Sequence, residues 1–83
     1  MSDMLRVVLF RDGEQQWGAQ ALERDIAAHG PTRDAALAAL RMALLAHVTF
    51  DRRQQRVPLS WLAPAPERLW RQGAENGTVS VPI

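Results

Sequence analysis

The chain contains no cysteine, so no disulfide can brace it, and its two histidines show no spacing that would hold a structural metal. It contains no lysine either; all ten cationic side chains are arginine. Schiff-base and thiolate chemistry are therefore excluded. A GC-rich genome explains the arginine bias without invoking function, while selection for the bidentate guanidinium fork is the functional alternative. No serine sits in a nucleophile elbow and no glycine-rich loop is present to cradle phosphate. Apolar runs are short: the greasiest, 35–46, is interrupted by Arg41 and falls far below the roughly 20 residues of a membrane span. The opening MSDML has no basic segment ahead of an apolar one, so no secretion signal is expected, and the absence of cysteine fits a cytoplasmic protein. A formal charge of +1 is too small for the net field alone to argue for nucleic acid.

What is present reads as one small globular domain. Apolar residues make up 47% of the 83 and charged residues 23%, a balance unlike that of disordered chains. Without staples, a domain of this size holds roughly 3–5 kcal/mol of stability. Help from self-association or from a partner is therefore expected.

The first half alternates. In MLRVVLF (Met4–Phe10), Leu5, Val7 and Leu9 fall on one face by period two. Asp12-Gly13 is a turn signal, and QWGAQAL (Gln16–Leu22) is the expected return strand, whose small Gly18, Ala19 and Ala21 leave room for a close neighbour. A short third strand is expected over Asp25–His29. Gly30-Pro31 ends it, and Thr32 is placed to cap a helix with Asp34 in its first turn. The helix is expected over about Arg33–Thr49, with Leu37, Leu40, Leu44 and Val48 on its buried stripe. Its opposite face (Ala35, Ala38, Ala39, Met42, Leu45, Ala46) carries no charge. Alanine supports a helix by propensity alone; the other reading is that a second layer covers this back.

Residues 51–58 read as a polar connector, followed by a segment with prolines at 58, 64 and 66 and a short helix over about Glu67–Gln72, ended by Gly73 or Gly77. Leu59, Trp61, Leu62, Leu69 and Trp70 are too many large apolar groups for a free tail, so residues 57–83 are expected to dock, most simply on the helix back. TVSVPI reads as a final strand with Pro82 at its edge. The expected class is thus α+β: an antiparallel sheet of three or four strands on one long helix, in the order β-β-β-α, short α, β, with a core at about residues 4–50.

That order, with WGAQALERDIAAHGPTRDAALAAL at its centre, resembles the HicB family of antitoxins. Trp17, Ala19, Leu22, Ala28, Gly30, Thr32, Ala36, Leu37 and Leu40 occupy the places of the family pattern. The resemblance covers about residues 4–50. It implies a partial RNase H-like or double-stranded-RNA-binding-like sandwich that masks a small HicA-type ribonuclease toxin, often as a homodimer or tetramer, with no catalytic role and no cofactor. Full-length relatives carry a DNA-binding domain after this core. In the residues that follow Arg56 here, 57–83, three prolines precede the short helix, so no DNA-binding domain of that kind is expected within them.

Partner-binding candidates are Trp17, Trp61 and Trp70, because tryptophan is a favoured interface anchor, together with Met42 and Leu45 on the helix back. Arg52, Arg53 and Arg56 are candidates for an acidic partner protein or, as a second reading, for RNA or DNA phosphates; the bland reading is a solvated connector. Asp12, Glu14, Glu23 and Asp25 would be the carboxylates of a third reading, a small metal-dependent nuclease, but they fall in turns where charges are ordinarily just solvated. Asp25 and His29, four apart on a strand, lie roughly 13 Å apart, too far to share a metal. His47 sits near a helix C-terminus, where its charge is useful in any case. No catalytic, metal or cofactor residue is expected.

Overall fold

A computed structural model describes residues 4–83. Its elements are β1 (Met4–Arg11), β2 (Trp17–Ala21), β3 (Ala27–Gly30), α1 (Arg33–Arg53), α2 (Glu67–Asn76) and β4 (Val79–Pro82). The strands form one antiparallel sheet in the order β3-β2-β1-β4, so the α+β expectation holds with four strands. Among the described residues, no helix is long and apolar enough to cross a membrane.

Register sorts the side chains. Val7 lies opposite Ala21 and Leu9 opposite Ala19, while Leu5 lies opposite Val81. These residues, with Ala28 and Ile26, point to the face covered by α1, whose Ala36, Leu40, Leu44 and Val48 complete the main core. Thr32 caps α1 as expected, its hydroxyl accepting from the Ala35 N–H at 3.0 Å. Gly30 stands directly beneath the first turn: a Cβ there would lie 2.7 Å from the Ala36 nitrogen.

The alternation in β1 is incomplete because both faces of the sheet are covered. Val8 is as buried as Val7. On its side lie Leu22 and Ala65, flanked by Phe10, Leu69 and Trp70. The tail therefore does not dock on the back of α1, as expected from the sequence, but crosses to the opposite face of the sheet. Its path is fixed by backbone bonds around the β2–β3 turn: Asp25 N–H donates to Ala63 (2.6 Å) and Ala65 N–H to Leu22 (2.9 Å). The Arg24 guanidinium adds a bond to the Leu62 carbonyl at 2.8 Å.

Several boundaries also shift. The third strand begins at Ala27 and includes Gly30, because Asp25 serves the tail and accepts from the Gln20 amide. Helix α1 runs on to Arg53, so Arg52 and Arg53 occupy its last turn rather than a connector. Helix α2 extends to Asn76 and ends at Gly77, the second of the two glycines expected to stop it; Gly73 lies inside the helix, and a Cβ there would lie 3.0 Å from Val8. Gly18 leaves room, but for its own cross-strand neighbour, since the Phe10 ring lies over it.

Candidate functional site

With the tail on the far face, the back of α1 stays open. Met42 and Leu45 are 68% and 62% exposed, and Ala38 and Ala46 beside them are exposed as well. Phe50 continues this surface toward the C-terminus of the helix. Burial of one stripe against the sheet explains why α1 forms; the alanines of the other stripe support the helix by propensity, but among the described residues nothing covers Met42 and Leu45.

Helix α1 packs mainly on β3 and β2 and stands apart from the end of β4, although Val81 of that strand is buried in the shared core. A groove of about 250 Å³ results. Leu44, Leu45 and Val48 form one wall, and Pro82 and Ile83 the other. Arg41 and Arg52 stand at its two ends. Arg41, Leu45 and Arg52 follow a spacing of four and seven residues, which keeps all three on one helical stripe. Neither arginine makes a salt bridge among the described residues.

The C-terminal end of α1 is tied to the tail through Asp51. This carboxylate is fully buried, against the expectation of a solvated connector residue. It accepts from the Leu59 N–H (2.8 Å), from Trp61 Nε1 (3.1 Å) and from Arg56 Nη2 (2.9 Å). The Leu59 amide is the main force holding the Asp51 carboxyl below its ordinary pKa; burial opposes it, and Trp61 and Arg56 assist. Trp61 is also packed at 5.5 Å against the His47 ring, so an indole that is 52% exposed is held in one orientation. The Arg56 guanidinium lies 5.3 Å from the Phe50 ring.

The residues singled out from sequence thus separate. Leu45 and Arg52 belong to the groove, with Met42 beside it on the open back. Arg53 is exposed on the last turn, and Arg56 belongs to the Asp51 clasp. The three tryptophans occupy three places. Trp17 is half-buried on the α1 face with Arg11 5.7 Å from its ring. Trp70 is half-buried on the opposite face, where its Nε1 donates to the Ala65 carbonyl and Arg6 lies 4.7 Å from its ring. Only Trp61 is exposed.

The acidic residues are likewise dispersed. Glu23 accepts from Arg6, Asp12 meets His29 at 3.1 Å, and Asp25 is bonded to Gln20. Burial would raise the Glu23 pKa, but the Arg6 hydrogen bonds outweigh it and the carboxyl titrates below its ordinary value. No group of three or more His, Asp or Glu able to hold a metal occurs among the described residues. Sequence reasoning missed Asp51, Arg41, Pro82 and Ile83. Asp51 carried a signal, falling three residues after Val48 on the buried stripe; the groove carried none, because β4 reaches it only through the fold. The chain matches no protein-family model, no curated protein and no solved structure.

Proposed function

We propose that this chain is a non-catalytic protein-interaction domain of HicB-like type, which masks a small partner protein such as a HicA-type ribonuclease toxin. The observation that carries the proposal is the open apolar surface of α1, Met42 and Leu45 above all, on a helix whose other stripe is firmly packed. Contiguous exposed apolar patches, especially ones rimmed by polar residues, mark interaction sites. The strand-strand-strand-helix order and the Gly30-Pro31-Thr32 joint add the family resemblance. Co-expression with the neighbouring small reading frame tests it: a stable complex and relief of toxicity are expected, and the absence of both removes the antitoxin reading. The proposal includes self-association, and light scattering that finds a monomer at tens of micromolar removes that part.

Exposed Arg52 and Arg53, both without salt-bridge partners among the described residues, support a second reading, RNA or DNA binding. Its weakness is that Arg56 is committed to Asp51 and that the basic pair already complements the end of the α1 dipole. Nucleic acid held by these residues would dissociate steeply as salt rises; undetectable binding at low salt ends this reading.

A further inference from the structure

We propose that the groove between α1 and β4 receives an amphipathic helix of a partner protein, one whose apolar ridge is flanked by carboxylates that reach Arg41 and Arg52. The inference rests on the protein-interaction reading and assigns it a site and a partner chemistry. Three observations carry it.

The first is composition. The lining combines five apolar residues, Leu44, Leu45, Val48, Pro82 and Ile83, with two cationic ones, Arg41 and Arg52. Phosphodiester backbones offer nothing to fill an aliphatic trough, whereas an amphipathic helix fills it with a row of Leu-like side chains. Arg41 and Arg52 are eleven residues apart, about 16 Å along the axis at 1.5 Å per residue. The partner's carboxylates should therefore lie three helical turns apart.

The second concerns the shape of the occupant. Strand β4 is the sheet edge beside the groove, and an extended peptide could in principle lengthen the sheet there. But β4 has four residues, and Pro82 lacks the N–H a new strand would need. Short edges ending in proline resist strand addition. The groove is therefore a seat for side chains rather than for a backbone ladder.

The third excludes either helix of a second copy as the occupant of this groove. Exposed charges on α1 are Arg33, Arg41, Arg52 and Arg53 against Asp34 alone, since Asp51 is buried. Helix α2 is balanced, with Glu67 and Glu75 against Arg68 and Arg71, and Glu67 is already bonded to Arg71. Neither helix of the chain supplies the net negative charge the rim requires, and like charges across an interface are repelled.

The test uses the full chain and three synthetic helical peptides that share one leucine stripe and differ at two flanking positions eleven residues apart: Glu/Glu, Gln/Gln and Lys/Lys. Fluorescence anisotropy at low salt should rank them in that order, with the Glu peptide about tenfold or more tighter than the Lys peptide. The double variant Arg41→Glu/Arg52→Glu should reverse the ranking, and Leu45→Glu should abolish binding of all three. All three substituted side chains are exposed, so circular dichroism should show unchanged folds. Amide exchange on the wild type should slow over residues 41–52 and 79–83. Failure of the Glu peptide to bind, a ranking unchanged by charge reversal, or protection elsewhere overturns the assignment. So does tighter binding of single-stranded RNA or phosphatidylserine vesicles that the double variant removes. If the co-expressed partner binds the double variant and Leu45→Glu as it binds the wild type, the groove assignment falls and the interaction-domain reading stands. If the peptides rank as stated but no partner complex forms, the groove chemistry stands and the antitoxin reading falls.

Discussion

Asp51 is the residue on which the two halves of the chain meet. One carboxylate satisfies a backbone amide, an indole and a guanidinium at once, and all three donors belong to residues 56–61. Because its pKa is depressed, the clasp contributes stability that is fully present above the ordinary aspartate value and is lost as pH falls through the lower, folded value. Glu23 adds to the same trend, since its pKa is depressed as well. Stability should thus hold from neutrality down to about pH 4 and fall below it. Tryptophan emission during acid titration would show this. Asp51→Asn keeps the shape but loses the charge and turns one acceptor into a donor. It should lower Tm by several degrees, red-shift the Trp61 emission and flatten the acid limb. An unchanged acid limb in this variant would mean that other carboxylates carry the pH dependence.

At the scale of elements, the Gly30-Pro31-Thr32 joint controls how closely α1 approaches the sheet. Gly30 has no need of a left-handed conformation; it is small because helix backbone lies against it. Gly30→Ala should therefore push α1 outward and cost about 1–3 kcal/mol, the range for overpacking. Urea midpoints measure it; an Ala variant as stable as the wild type would show that the first turn yields freely. This joint was legible in sequence, as were all four strands, the Thr32 cap and the buried stripe of α1, since each follows from local period or capping chemistry. What sequence obscured was long-range. The polar appearance of Asp51 cut α1 short, although the residue lies on the buried stripe, because its partners stand in the tail. Of the two glycines that suggested the end of α2, Gly77 is the one that stops it, while Gly73 lets the helix approach Val8 and Leu22. For the site, Met42, Leu45 and Arg52 could be named from the helical wheel. The wall formed by Pro82 and Ile83 could not, because only the sheet order brings it there.

For the whole molecule, the C-terminal segment expected to dock on the core at residues 4–50 contributes to both faces of the sheet. The tail supplies β4, Leu59 for the main core and the cover over Val8 and Leu22. A chain ending at Arg56 should expose both of those residues, leave β1 as an edge and show no cooperative urea transition; a sharp transition would mean that the first half folds alone. The exposed Leu45 should behave in the opposite way. Leu45→Gln should change stability by no more than about 0.5 kcal/mol, as surface substitutions do, while weakening partner capture. A large stability loss there would mean that the side chain packs within the monomer. The pairing of Met4 with Pro82, and of Leu5 with Val81, has a further consequence. The first strand finds its outer neighbour only in residues about 75 positions further along the chain. Until that long loop closes, β1 stays an unpaired edge, so this pairing is a slow, non-local step of folding.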